Sequence, residues 1–114
     1  MRCACKQMKS YDLKIEGDVG ADPIWCKHCS CNLNLEELPI SQKLKSELIE
    51  WVTKYGEWID WDRDQLIPNG IEMEDEHNTQ GAKLTEKVKK ELKETYTIKF
   101  SPSTMARSYA NNKS

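Results

Sequence analysis

The stretch from Ser41 to Gly56, SQKLKSELIEWVTKYG, contains one helix with both ends marked. Ser41 is a favourable N-cap, because its hydroxyl can accept a hydrogen bond from a backbone N–H group of the first turn. Gly56 is a natural end, since glycine adopts left-handed backbone angles without a clash at Cβ. The apolar residues recur at the spacing that places them on one helix face: Leu44, Leu48, Trp51, Val52 and Tyr55. We therefore predict an amphipathic helix here.

A second helix is predicted from about residue 71 to residue 94. Its apolar stripe contains Leu84, Val88 and Leu92, with His77 and Gly81 on the same face. Glycine in a helix interior costs roughly 1 kcal/mol relative to alanine, so we expect another backbone to approach Gly81 closely. The acidic run before His77 is interpreted as favoured by the helix dipole. The interval between the helices, EWIDWDRDQLIPNG, fits no single period and is predicted to be an ordered connector.

Three other segments have the character of strands. Residues 10–16 (SYDLKIE) and 96–100 (YTIKF) alternate apolar and polar side chains, and PIW at residues 23–25 can form a brief return strand. The order predicts an α+β fold with a small antiparallel sheet and two main helices, in which the chain ends can pair. We predict one domain over residues 1–100, divided into an N-terminal part (1–38) and a helical part with the final strand (39–100). The polar residues 101–114 are predicted to form a flexible tail.

Composition indicates the class of protein. The chain has 114 residues, of which 38% are hydrophobic and 32% charged, and it has no apolar run of the roughly 18 residues that span a membrane. The first residues lack the apolar core of a secretory signal, which predicts a cytoplasmic location. There thiols remain reduced, and the five cysteines are an odd number, so a disulfide framework is not expected.

The cysteines form two close pairs. Cys26 and Cys29 lie in WCKHCSC (residues 25–31), and their C-x-x-C spacing lets one tight turn direct two sulfur atoms at one ion. Cys3 and Cys5 can supply the other half of a tetrahedral thiolate site for zinc. The predicted metal ligands are therefore Cys3, Cys5, Cys26 and Cys29 around one structural Zn²⁺. Replacement of one ligand by Cys31 or His28, and iron in place of zinc, stay open.

The segment WCKHCSCNL resembles the knuckle of zinc-ribbon domains, C-P-x-C-G-x-x-L. Cys26, Cys29 and Leu33 occupy its cysteine and leucine positions, whereas Lys27 replaces the proline and Ser30 the glycine. The opening MRCAC resembles the start of such a domain, so the resemblance covers about residues 1–35. It implies a zinc-ribbon-like N-terminal part that acts as a structural or binding module, with no catalytic residue transferred.

Charge is unevenly distributed and indicates where a partner would bind. Residues 57–78 carry eight acidic side chains against Arg63, whereas residues 79–114 carry eight basic and three acidic ones. The acidic segment also holds two tryptophans, and aromatic residues anchor many interfaces. The predicted partner-binding residues are Trp58, Asp60, Trp61, Asp62 and Asp64.

The function predicted from these features is a small cytoplasmic, zinc-stabilised module that binds another protein as an adaptor or inhibitor. Nucleic-acid binding through Lys83, Lys87 and Lys90, on the basic helix face 83–93, is the alternative, but a pI near 5.7 disfavours it. A membrane partner is not expected. Catalysis is not expected either, because His28 and His77 are the only histidines and no phosphate loop or nucleophile elbow is present. A thiol redox role lacks the usual βαβ context.

Overall fold

The computed structural model of the chain describes residues 12–28, 30–92, 96–106 and 108. The elements in chain order are β1 (Asp12–Ile15), β2 (Ile24–Cys26), a 3-10 helix (Leu35–Glu37), α1 (Gln42–Thr53), β3 (Ile59–Asp60), β4 (Gln65–Leu66), α2 (Gly70–Leu92) and β5 (Thr97–Phe100). This arrangement confirms the predicted α+β class with two main helices. None of the helices in these ranges is both long and apolar enough to cross a membrane.

The main sheet has the strand order β2-β1-β5. Strand β1 pairs antiparallel with β2, where Leu13 lies opposite Cys26, and parallel with β5, where Leu13 lies opposite Ile98. The chain ends therefore pair as predicted, but the sheet is mixed rather than antiparallel throughout. A parallel pair needs a long crossover connection, and here both helices lie between the two strands.

Helix α1 begins as predicted. The Ser41 hydroxyl accepts a hydrogen bond from the backbone N–H of Leu44 at 3.2 Å, and the Glu91 carboxylate of α2 accepts one from the Ser41 N–H at 2.6 Å. The helix ends at Thr53, and Gly56 then turns the chain with φ +87°. One face of α1 is buried against the sheet and α2, with Leu44, Leu48, Trp51 and Val52 in the core.

The predicted core stripe of α2 is confirmed, because His77, Gly81, Leu84, Val88 and Leu92 are all buried. The close approach at Gly81 comes from aromatic side chains, not from the backbone that we predicted. A β-carbon at residue 81 would lie 2.6 Å from Phe100 Cζ and 2.7 Å from Trp51 Cζ2. Glycine is therefore required here by the packing of α1 and β5 against α2.

The segment after β5 is docked on α2 as far as it is described. Asn78 exchanges two hydrogen bonds with the Ser103 backbone, at 3.0 and 2.8 Å. The Glu74 carboxylate is fully buried, and its Oε2 accepts hydrogen bonds from Ser103 Oγ at 2.8 Å and from Ala106 N–H at 2.7 Å. Ser103 and Ala106 belong to the segment 101–114, which we predicted to be a flexible tail, and the flexibility of that segment stays a prediction. Glu74 is thus a buried anchor rather than one more exposed acid of its run.

Candidate protein-binding surface

Strands β3 and β4 form a short hairpin in the segment predicted to be a connector. Ile59 lies opposite Leu66, and Asp60 lies opposite Gln65. The Asp60 carboxylate organises the loop, because its Oδ1 accepts hydrogen bonds from the backbone N–H groups of Asp62 and Arg63 at 3.2 and 3.3 Å. Aspartate commonly stabilises turns in this way. The hairpin therefore has a defined conformation at its tip.

Trp61 is the exposed aromatic residue at that tip, with 57% of its surface accessible. Its indole rests on Gly56, where a β-carbon would come within 3.1 Å of Trp61 Cζ2. Trp58, the other predicted partner-binding tryptophan, is only 1% exposed and packs with Ile59 and Ala106 in a second apolar cluster. Trp58 therefore belongs to the apolar cluster beneath the hairpin, whereas Trp61 is the tryptophan of this segment that a partner can contact.

The charged side chains around Trp61 are mainly acidic. Glu57, Asp62 and Asp64 are exposed and Asp60 is partly exposed. Arg63 is the basic residue of the loop, and its Nε lies 3.8 Å from Asp60 Oδ2. We call Glu57, Asp60, Trp61, Asp62 and Asp64 the Trp61 surface. It combines one flat apolar ring with net negative charge.

A cavity of about 220 Å³ lies beside this surface, between the end of α1, the turn that follows it and α2. The buried residues that line it are Trp51, Trp58 and His77. The exposed ones include Glu57 and Glu76. The sequence analysis missed this cavity. Its lining residues come from α1, from the turn after α1 and from α2, and no spacing in the sequence shows that these segments meet.

His77 forms one wall of the cavity. Its ring stacks on Trp51 with centroids 4.4 Å apart and an interplanar angle of 14°, and Trp58 meets it edge-on at 5.1 Å. Burial lowers the pKa of His77 from 6.5 to about 4, because a charged ring would lose its hydration. The ring is therefore neutral at physiological pH. Its packed position agrees with the prediction that His77 faces the core.

The predicted metal ligands are only partly described. Cys26 is buried in β2, and its N–H bonds the carbonyl of Cys31 at 3.0 Å, which closes a tight turn around Ser30, whose φ is +60°. Cys3, Cys5 and Cys29 lie outside the described residues. Within the described ranges no three histidine, cysteine or acidic side chains form a group that could hold a metal ion. The four-cysteine zinc site stays a prediction.

His28 and the predicted basic face of α2 make ordinary surface contacts. His28 is exposed and its Nε2 lies 2.7 Å from Asp12 Oδ2; this hydrogen bond lowers the pKa of Asp12. On α2, Lys83, Lys87 and Lys90 are all exposed, and Lys87 pairs with Glu47 of α1 at 3.1 Å. That pairing uses part of the basic face for a contact between the helices.

The family comparison gives the context for this surface. The sequence model of the Serratia CdiI immunity protein-like family matches residues 11–103, which include the five described strands and both main helices. Comparison with curated proteins gave no match. Our assignment of residues 1–35 to the zinc ribbons is therefore wrong. It rested on a few motif positions, whereas β1 and β2 belong to a sheet that the last strand completes. The chain belongs to the Serratia CdiI immunity protein-like family.

Proposed function

We propose that this protein is an immunity protein that binds one toxin protein and blocks it, with the Trp61 surface as the main contact. The family description supports the immunity role. The observation that carries the assignment of the surface is an exposed tryptophan held on an ordered hairpin among acidic side chains. Tryptophan is enriched among the residues that contribute most to interface affinity.

The charge of the surface indicates the chemistry of the toxin. Negative potential attracts a basic partner, speeds its encounter and disfavours acidic competitors. We therefore propose that the toxin presents a basic patch to the hairpin. In this scheme the protein acts by occupying the toxin and needs no catalytic group of its own. We place the complex in the cytoplasm, where the cysteines stay reduced.

Affinity capture followed by a growth assay tests the proposal. The wild-type chain and the variants Trp61→Ala and Ile49→Ala are immobilised in parallel to capture binding proteins. Each captured protein is then produced in cells that do or do not also produce one of these three chains. Ile49 is a matched control, because it is an exposed apolar residue on α1 outside the Trp61 surface. A captured toxin should stop growth when it is produced alone. Growth should be restored when the wild-type chain or the Ile49→Ala variant is produced with the toxin.

The two parts of the proposal fail separately. If no captured protein inhibits growth, the immunity role is excluded. If a toxin is found but Trp61→Ala binds and protects as well as the wild type, the Trp61 surface is excluded as the main contact. We expect Trp61→Ala to weaken binding by about 2 kcal/mol or more, the usual cost at an anchor residue.

A further inference from the structure

We infer that the cavity between the end of α1, the turn that follows it and α2 is a socket for one arginine side chain of the toxin. The inference rests on the proposed function and specifies the partner chemistry beside the Trp61 surface. Three properties of the cavity carry it: its buried apolar lining, its unpaired carboxylates and its neutral histidine.

The size and walls of the cavity suit one long side chain with a flat head. Its volume is about 220 Å³, and its lining includes the aromatic rings of Trp51 and Trp58 and the side chain of Met73. Trp51 and Trp58 are only 3% and 1% exposed, so they contribute buried apolar lining rather than open ring faces. The guanidinium group is more weakly hydrated than an ammonium group and therefore loses less on entering such a site. This difference favours arginine over lysine.

Two carboxylates are available for the charged head. Glu57 and Glu76 both line the cavity, and among the described residues neither forms an ion pair. Lys54 is the one cation of the lining, so the charge of the lining is negative. A guanidinium group donates up to five hydrogen bonds in a planar fork that matches carboxylate oxygens. An acidic side chain would instead face two like charges.

His77 is the buried titratable residue of the lining. The Nε2 edge of its ring lies against Gly17, where a β-carbon would be 3.1 Å from Nε2. Burial keeps the pKa of His77 near 4, and the ring therefore does not repel a cation at neutral pH. The stacking partner Trp51 holds the ring in place by donating its indole N–H to the His77 carbonyl at 2.9 Å.

The test uses small probes and the intact chain. Nα-acetylarginine amide is titrated into the protein while NMR follows the indole N–H signals of the tryptophans. Nα-acetylcitrulline amide is the neutral isostere, and Nα-acetyllysine amide, with a free side-chain ammonium group, is the second cation. The arginine probe should give saturable shifts of Trp51 and Trp58 and leave Trp25 unchanged. Binding should be at least fivefold weaker for citrulline and for lysine.

A matched pair of variants tests the carboxylates. Glu57→Gln/Glu76→Gln should weaken the arginine probe severalfold, whereas Glu37→Gln/Glu72→Gln, with the same change of net charge outside the cavity, should not. Equal binding of arginine and citrulline, no saturable shift, or an unaffected Glu57→Gln/Glu76→Gln variant would overturn the socket. Lysine binding as tightly as arginine would overturn the assignment to arginine.

The result is separable from that of the immunity proposal, because these probes require no toxin. If the wild-type chain protects against a toxin but binds no arginine probe, only the socket is excluded. If the probe binds selectively but no toxin is found, the cavity remains an arginine socket, whereas the immunity role and the toxin as the source of the arginine are excluded.

Discussion

The indole ring of Trp61 lies against the backbone of Gly56, where a β-carbon would be only 3.1 Å from Cζ2. Gly56 also has a φ of +87°, a conformation that other residues adopt at a cost. One glycine therefore turns the chain after α1 and provides the flat seat of the exposed tryptophan. The position of the proposed toxin contact therefore depends on the glycine that turns the chain after α1.

Gly56→Ala should destabilise the fold and displace Trp61. Gly20→Ala is the matched control, because Gly20 has φ +72° but no atom within 4 Å of a β-carbon there. Both variants should lose about 1–2 kcal/mol in urea unfolding from the backbone conformation. Only Gly56→Ala should change the near-UV circular dichroism of tryptophan. Identical spectra for the two variants would contradict the packing of Trp61 on Gly56.

Charge on the hairpin should control the rate of toxin association. Asp62→Asn/Asp64→Asn should slow association severalfold at low ionic strength and reduce its salt dependence, with a smaller effect on dissociation. Asparagine tolerates the positive φ of Asp64, which is +53°. Glu37→Gln/Glu50→Gln, which removes two exposed charges elsewhere, should associate at the wild-type rate. Equal slowing by both pairs would show that only net charge matters.

Acid should weaken the fold through His77. Its pKa is about 4 in the folded protein and about 6.5 in an unfolded chain, so between these values the unfolded state binds more protons. The free energy of unfolding should therefore fall as pH drops from 6.5 towards 4. His77→Phe retains an aromatic ring but cannot titrate.

Urea unfolding at pH 7.5 and pH 5.0 measures this effect. The wild type should lose about 1–2 kcal/mol more than His77→Phe over that interval. Comparing the two slopes removes the contribution of the acidic residues, which both chains share. Parallel pH profiles would mean that folding does not lower the pKa of His77.

Glu74→Ala should release the segment that follows β5. The substitution removes the acceptor of the Ser103 hydroxyl and the Ala106 N–H, and hydrogen bonds to a charged group contribute about 1.5–3 kcal/mol. Hydrogen exchange at Ala106 should become at least tenfold faster. Glu72→Ala, an exposed position on the same helix, is the control and should exchange like the wild type. Unchanged protection in Glu74→Ala would show that the hydrogen bonds of Glu74 are not needed to hold the segment.

The predicted zinc site requires a direct measurement of metal content. Native mass spectrometry of the reduced protein should give one zinc per chain. The metal should be lost on substitution of Cys3, Cys5, Cys26 or Cys29 by serine and retained in Cys31→Ser. A folded, metal-free wild type would rule the site out. Retention in Cys26→Ser with loss in Cys31→Ser would instead assign Cys31 as a ligand.

Local patterns predicted the elements well, because they report features confined to one segment. The N-cap of α1 at Ser41 and the buried stripe of α2 follow from residue type and a 3.6-residue period. The strands β1 and β5 of the main sheet follow from a two-residue period. None of these features depends on which other segment packs against them.

Features that depend on partners could not be predicted in the same way. Trp58 and Trp61 stand three residues apart with the same acidic neighbours, yet one is buried and the other exposed. The difference arises from the hairpin and from Ala106, which closes over Trp58. Glu74 is likewise indistinguishable in sequence from Asp75 and Glu76 until Ser103 and the Ala106 backbone meet it.

The pairing of Leu13 with Ile98 has a consequence for synthesis on the ribosome. Strand β1 is translated long before its parallel neighbour β5. Contacts so distant in sequence form slowly, and here they must also wait for the whole crossover to be translated. Under the proposed immunity role, a chain can therefore bind the toxin as a folded domain only after β5 has been made.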